Sequence, residues 1–358
     1  MKKIVLTGGG TAGHVTPNIA LLPALQAAGY EIAYVGSYEG IEKKLSADFN
    51  IPYTGISTGK FRRYLDPKNF SDPFRVMKGF VEARNYLKNY QPDVVFSKGG
   101  FVSVPVVRAA ASLHIPCIIH ESDMTPGLAN KLCIPVAEKV CCNFPETMKN
   151  IPADKAVLTG SPIRAELAEG SKLAGLNMCG FTANKPVIMV IGGSLGAANV
   201  NKAVRDALPK LLEDFQVVHL CGKDKIDNLL LNTPGYKQFE YIKAELKDIF
   251  AMADVVISRA GANAICELLA LKKPNILIPL PAASSRGDQL LNAASFEAQG
   301  YSIVLNEDDI TTNLLVDKVH ELYFNRQNYV DAMSKSHQMD AVKTIMELIN
   351  AAADKKTN

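Results

Sequence analysis

The sequence predicts an α/β protein made of two Rossmann-like domains, each a doubly wound parallel sheet, and three observations carry that expectation. Short apolar runs alternate with longer helical patterns along nearly the whole chain, the order that builds parallel sheets covered by helices on both faces. One strand-like run, Ile4-Val5-Leu6-Thr7, ends in Gly8-Gly9-Gly10-Thr11-Ala12-Gly13-His14. Half a chain later Val187-Ile188-Met189-Val190-Ile191 ends in Gly192-Gly193-Ser194-Leu195-Gly196. A strand, a glycine turn and a helix in succession present backbone N–H groups to phosphate. Two such units at the starts of two similar halves predict twin domains with a cleft between them, and 358 residues suffice for two domains of roughly 150 each.

In order, the first half offers strands at 3–7, 31–35, 93–96, 116–119 and 139–142, with helical patterns at 16–28, 39–48, 73–89 and 103–113. The second half offers strands at 187–191, 216–220, 254–257, 275–278 and 302–305. Its helical patterns cover 198–213, 244–251, 262–271, 288–299 and 312–323. The join is expected near Thr159-Gly160-Ser161-Pro162, where a strand ends in turn residues. Residues 170–186 read as a loop leading to the second sheet, and a last helix at about 340–353 has no strand after it.

Composition narrows the class. The chain is 47% hydrophobic and 21% charged, which is the profile of a globular protein with a sizeable core. A net charge of +3 is too small to argue for nucleic acid. The seven cysteines include no C-x-x-C pair and lie mostly in apolar stretches, so they read as buried free thiols in a reducing compartment. No signal peptide fits the first residues, and no run of 18 apolar residues offers a membrane span.

Gly8, Gly10 and Gly13 match the dinucleotide fingerprint G-x-G-x-x-G, so a nicotinamide or flavin enzyme has to be weighed. The acid expected at the end of the second strand is missing, because Ile32–Val35 ends in Gly36-Ser37 and Glu39 comes late. The glycine run leads instead into His14, near the first turn of a helix. A helix N-terminus favours a neutral imidazole, which can take a proton from a hydroxyl; a histidine that only caps the helix is the plainer alternative. The second loop fits neither Walker A nor the dinucleotide pattern, but its amides and the Ser194 hydroxyl suit a diphosphate. Ser258-Arg259-Ala260-Gly261-Ala262-Asn263-Ala264-Ile265-Cys266-Glu267 reads as a strand end, small residues and a helix start. Glu267 there can accept two hydrogen bonds from a ribose diol, or simply complement the helix dipole. Ser285-Arg286-Gly287-Asp288-Gln289-Leu290-Leu291-Asn292 is a polar cluster opening another helix, with Asp288 as a candidate N-cap.

Taken together, the first glycine run, Lys98-Gly99-Gly100-Phe101-Val102-Ser103, His120-Glu121, the second glycine run, Arg259-Ala260-Gly261 with Glu267, and Asp288-Gln289 with Asn292 resemble the MurG family of peptidoglycan N-acetylglucosaminyltransferases. The resemblance spans nearly the whole chain and implies a GT-B fold. It assigns residues 1–162, with a C-terminal helix at 340–358 packing back, to the acceptor and membrane-docking domain. Residues 163–339 would bind UDP-N-acetylglucosamine. By motif match, Thr11, Ala12 and Gly13 lie beside the donor sugar and Arg164 and Ser194 beside its phosphates. Ile242 offers backbone groups to uracil, and Ala262, Asn263, Ala264, Ile265, Cys266 and Glu267 line the nucleotide. Gln289 and Asn292 face sugar hydroxyls, and Asn130 lies on the acceptor side. Family members commonly carry asparagine at Asp123; a carboxylate cannot donate as an amide does, so Asp123 is left out.

The implied reaction is an inverting transfer in which an acceptor hydroxyl attacks the anomeric carbon and UDP departs. His14 is the expected base, with Glu121 and His120 as rivals or supports. No D-x-D pair occurs, so neither metal nor cofactor is expected and the leaving diphosphate falls to protein dipoles and Arg164. The expected partners are UDP-N-acetylglucosamine, an undecaprenyl-diphosphate-linked muramoyl-pentapeptide and the anionic cytoplasmic face of a bacterial cell membrane, with no nucleic acid. The stretch 60–88 holds Phe61, Arg62, Arg63, Phe70, Phe74, Arg75, Met77, Lys78, Phe80 and Lys88, a pattern that fits an interfacial patch and a core-facing stripe alike. Three rivals remain: a UDP-N-acetylglucosamine 2-epimerase on the same fold, an NAD-dependent oxidoreductase, and a non-catalytic nucleotide-sugar-binding subunit.

Overall fold

Strands that are apolar on both faces must be covered on both faces, and each half of this chain does so around its own sheet. The computed structural model describes residues 1–59, 68–193, 196–282, 287–336 and 340–357. The chain divides into two compact units, Met1–Arg164 with Gln338–Asn358, and Ala165–His337.

The first unit runs β1 (Lys3–Thr7), α1 (Thr16–Ala20), α2 (Leu22–Ala27), β2 (Glu31–Ser37), α3 (Ile41–Asp48), β3 (Tyr53–Ile56), α4 (Lys68–Tyr90) and β4 (Val94–Ser97). It continues with α5 (Ser103–Ser112), β5 (Cys117–Glu121), α6 (Leu128–Cys133), β6 (Lys139–Cys142), α7 (Pro145–Met148) and β7 (Ala156–Leu158). The seven strands pair in parallel in the order β3-β2-β1-β4-β5-β6-β7. Alternation along β1 sends Ile4 and Leu6 into one core and Val5 into the other. The expected helix 16–28 is two helices, with Pro17 and Pro23 each at the first turn of its own segment.

The second unit runs α8 (Lys172–Cys179), β8 (Val187–Ile191), α9 (Ala198–Asp214), β9 (Gln216–Leu220), β10 (Tyr236–Phe239), α10 (Leu246–Met252), β11 (Val255–Ser258) and α11 (Ala262–Ala270). Then come β12 (Asn275–Leu277), α12 (Asp288–Ala298), β13 (Ser302–Val304), α13 (Thr312–Phe324) and α14 (Arg326–Ser334). Its parallel order is β10-β9-β8-β11-β12-β13. The expected loop 170–186 in fact contains α8, which Ser171 Oγ caps by accepting from Ala174 N–H at 3.3 Å and which ends at Gly180 with φ 69°. β3, β10, α6, α7 and α14 fall outside the elements expected from sequence.

The last helix, α15 (Ala341–Thr357), belongs to the first unit. Ile345, Met346, Ile349, Ala352 and Ala353 join the core beneath β1 and β4. Tyr30 Oη donates to Asn350 Oδ1 at 2.7 Å, and Lys2 pairs with Asp354 at 2.6 Å. On α4, Phe80 packs against the core, whereas Phe74 is 78%, Met77 64% and Val81 52% exposed. Phe61, Arg62 and Arg63, and the side chain of Phe70, lie outside what the structure describes. All seven cysteines are buried free thiols. Among the described residues no helix is long and apolar enough to cross a membrane.

Candidate active site

In an open doubly wound sheet, ligands gather at the carboxyl ends of the strands where the order reverses. In the first unit that point lies between β1 and β4, where Thr7 pairs with Ser97 and Lys98 N–H donates to Thr7 O at 2.9 Å. The chain turns away on glycines from both strands. Gly8 has φ 152°, Gly10 89°, Gly99 88° and Gly100 83°. The two turns interlock: a Cβ on Gly100 would collide with the Gly9 carbonyl and lie 3.3 Å from the His14 ring.

His14 ends a short 3-10 turn, Ala12–His14, ahead of α1, and Val15, not His14, stands at the helix N-cap. Its Nδ1 lies 3.2 Å from Lys98 O. A carbonyl can only accept, so Nδ1 carries the hydrogen of that bond and Nε2 keeps its lone pair in the neutral ring. Thr11 is exposed and Gly13 half-buried in the same turn.

The other expected catalytic groups are placed differently. His120 is fully buried, with Nδ1 2.8 Å from Lys98 Nζ and Nε2 2.9 Å from Gly160 O. Burial, then the Lys98 charge, holds the ring well below the usual histidine range, so it stays neutral. Both nitrogens are thereby committed: Nε2 donates to the carbonyl and Nδ1 accepts from the lysine. Glu121 is also buried, and its carboxylate ties down the following loop. Oε1 accepts from Asp123 N–H, and Oε2 from Gly127 N–H and Asn130 Nδ2, each at 2.9 Å. Asn130 Nδ2 also donates to His120 O at 3.1 Å. His120, Glu121 and Asn130 thus form one scaffold under the β5 end. Lys98 ties into it through Ser122 Oγ and His120.

In the second unit the order reverses between β8 and β11. Gly193 (φ 86°) and Gly196 (φ 68°) shape the turn after β8; a Cβ on Gly196 would strike the Cys221 carbonyl. Asn201 near the start of α9 donates to that same carbonyl at 2.9 Å, which fixes the helix beside the turn. Ser194 lies outside the described residues. After β11, Arg259 Nη1 donates to the Ile278 and Pro279 carbonyls at 3.0 and 3.2 Å, and Nη2 pairs with Glu307. This buried clamp fixes the segment Ala260-Gly261 that opens α11, where Gly261 is a side-chain-free N-cap. Ala262, Ile265 and Cys266 are buried on that helix, and Asn263, Ala264 and Glu267 are half-buried. Gln289 Oε1 accepts from Leu280 N–H at 3.0 Å. Asn292 is 1% exposed, and its Nδ2 donates to Ala260 O at 3.1 Å, which ties it to the turn ahead of α11. Gly287, not Asp288, is the α12 N-cap. Ile242 is buried after β10, and Arg164 is half-buried at the end of the first unit.

Comparison with known proteins decides the family. The glycosyltransferase family 28 N-terminal domain matches residues 4–142 and the family 28 C-terminal domain residues 187–349. A protein of Lachnospira eligens named UDP-N-acetylglucosamine–N-acetylmuramyl-(pentapeptide) pyrophosphoryl-undecaprenol N-acetylglucosamine transferase is 65% identical, over 98% of this chain and 99% of its own. The chain belongs to glycosyltransferase family 28, in the MurG family. A Clostridium botulinum relative of the same name is 58% identical with the same coverage. The crystal structure of Acinetobacter baumannii MurG superposes with a TM-score of 0.76 at 28% identity, covering 98% of this chain and 100% of that one. A UDP-GlcNAc 2-epimerase from Methanocaldococcus jannaschii gives a TM-score of 0.69 at 14% identity over 97% of this chain and 99% of its own, a likeness of fold alone. This MurG-family chain is therefore a glycosyltransferase with the GT-B fold. Lys98 was not among the site residues expected from sequence, although it opens one of the motifs that carry the resemblance.

Proposed function

We propose that this enzyme transfers N-acetylglucosamine from UDP-N-acetylglucosamine to the C4 hydroxyl of undecaprenyl-diphosphate-linked N-acetylmuramoyl-pentapeptide, converting lipid I to lipid II with inversion. The observation that carries the reading is the 65% identity, over 98% of the chain, to a relative named for this transfer. The second unit takes the donor: the α11 N-terminus and Glu267 receive the nucleoside, and the glycine turn after β8 receives the diphosphate. The first unit takes the acceptor beside Asn130. His14 Nε2 removes the proton of the attacking hydroxyl as the new bond forms at the anomeric carbon. UDP leaves with the bonding electrons, and its charge is met by backbone amides at a helix N-terminus. His120 and Glu121 support this geometry from behind.

The acceptor's lipid tail calls for docking on a membrane. Phe74, Met77 and Val81 follow i, i+3, i+7 spacing on α4, all exposed, with exposed Arg75 and Lys78 beside them. Aromatic and aliphatic anchors flanked by cations suit an anionic interface. We place the enzyme peripherally on the cytoplasmic face of the cell membrane. The deciding experiment incubates the protein with UDP-N-acetylglucosamine, with and without the lipid-linked muramoyl acceptor. Acceptor-dependent UDP release supports the transfer; epimerised sugar without acceptor overturns it in favour of the epimerase.

A further inference from the structure

The first glycine loop matches a dinucleotide fingerprint, yet its amide is already engaged by an anion of the chain itself. Glu42, in the first turn of α3, is fully buried. Its Oε2 accepts from Gly10 N–H at 3.2 Å, and its Oε1 from Ser37 N–H at 3.0 Å and Ser37 Oγ at 2.5 Å. The side chain sits in a pocket walled by three glycines. A Cβ on Gly9, Gly36 or Gly40 would fall within 2.6 Å of it. On the other side of the loop a Cβ on Gly10 would come 2.7 Å from the Phe101 ring. The loop is thus held between a carboxylate and an aromatic ring, and His14 follows four residues on.

We infer that Glu42 is an internal anion that takes the phosphate's place at the first glycine loop and, through Gly10, positions His14. In a dinucleotide-binding domain the acid after the second strand reaches outward to a ribose, and the loop amides stay available for pyrophosphate. Here the acid comes later, on α3, and folds back on the end of β2 and on the loop. The same contact takes up the Gly10 amide and ties down the backbone that leads to the base. Glu42 touches no reacting atom, so it is a positioning residue. The assignment rests on the proposed transfer with His14 as base.

The test uses the full-length enzyme and acceptor-dependent UDP release, with wild type and His14→Ala run alongside. Glu42→Ala should lower kcat by roughly 10²-fold, the scale of an approximately 1 Å misplacement of a reacting group. UDP affinity, read by calorimetry, should stay within a few-fold. Added formate should restore a large part of the lost kcat, because a small carboxylate can re-enter the pocket, and should leave wild type unaffected. Glu42→Gln keeps the shape but turns an NH₂ toward one of the donors, so it should fold and still lose kcat. A fully active Glu42→Ala overturns the inference. So does a Glu42→Gln with wild-type kcat, or a folded Glu42→Ala that formate does not rescue. If Glu42→Ala does not fold, Glu42→Gln alone decides. Full turnover by His14→Ala would sink the base assignment instead, and a formate-rescued loss in Glu42→Ala would still mark the loop as held by this carboxylate.

Discussion

Replacing Glu121 by glutamine separates scaffold from base. Its carboxylate accepts three hydrogen bonds at 2.9 Å, from Asp123 N–H, Gly127 N–H and Asn130 Nδ2. An amide has one accepting end. In its best orientation the substituted side chain keeps the two bonds at the Oε2 position and turns its NH₂ against Asp123 N–H. One charge-assisted bond is lost, about 1.5–3 kcal/mol. At roughly 2–4 °C per kcal/mol for a domain of this size, the midpoint of thermal unfolding should fall by about 3–12 °C. The His14 ring is held to Lys98 O by a bond of 3.2 Å, so His14→Ala should move the midpoint by no more than a few degrees. The kinetics should run the opposite way. His14→Ala should lower kcat by roughly 10²–10⁴-fold, while Glu121→Gln should cost about tenfold or less. Scanning calorimetry and acceptor-dependent UDP release on the same preparations measure both. A Glu121→Gln enzyme of unchanged midpoint, with kcat down more than roughly 10²-fold and the acidic limb of its pH profile gone, would make Glu121 the base and refute the reasoning. Near-normal turnover by folded His14→Ala would remove His14 from the mechanism.

Three further outcomes are expected. Glu267→Ala should weaken UDP binding by about 1.5–3 kcal/mol, the loss of a charged acceptor from the ribose diol, and unchanged affinity by calorimetry would contradict the assignment. Wild type should bind anionic but not neutral vesicles, with Phe74→Ser and charge reversal at Arg75 and Lys78 weakening sedimentation at about 1 kcal/mol per basic residue; indifference to these changes would move the docking surface elsewhere. Burial pushes His219 down to about 3, so the unfolded chain protonates first, near 6.5, and stability falls as pH drops through the window between them. At pH 5 that is about 2 kcal/mol, and urea unfolding at pH 5 and 7 should show a smaller difference for His219→Gln than for wild type; equal differences would count against it.

The alternation of apolar runs and helices made both sheets legible, because buried parallel strands leave uninterrupted apolar runs. The elements that escaped are short or sit at sheet edges. In β10, Tyr-Lys-Gln-Phe buries alternate residues and carries no apolar run. In α8 the signals were in plain view, Ser171 ahead and Gly180 behind, but a helix of eight residues between them has too weak a stripe to announce itself. At the site, residue type was readable and burial was not. His14, His120 and Glu121 look alike as candidate bases in a sequence. Only the fold commits both His120 nitrogens and both Glu121 oxygens to backbone and side-chain partners and turns His14 Nδ1 to the Lys98 carbonyl. Glu42 was invisible for a different reason: it acts on Gly10 across 32 residues of chain, and nothing local to either position predicts the contact.

The two glycine turns, so similar as sequence, differ at single positions. At the first, the glycines make room for the protein's own groups. A Cβ on Gly9 would meet the Glu42 carboxylate, on Gly10 the Phe101 ring, and on Gly100 the Gly9 carbonyl. At the second, a Cβ on Gly192 would meet Ala197 and one on Gly196 the Cys221 carbonyl, whereas one on Gly193, or on Gly261 ahead of α11, would meet no described atom within 4 Å. Glycine at Gly193 answers to a φ of 86°, and at Gly261 to neither strain nor crowding within the described residues. The filled first turn suits the base proposed for the first unit, and the room at Gly193 suits the diphosphate proposed for the second. That difference agrees with the proposed division of roles, a donor on the second unit and a base on the first.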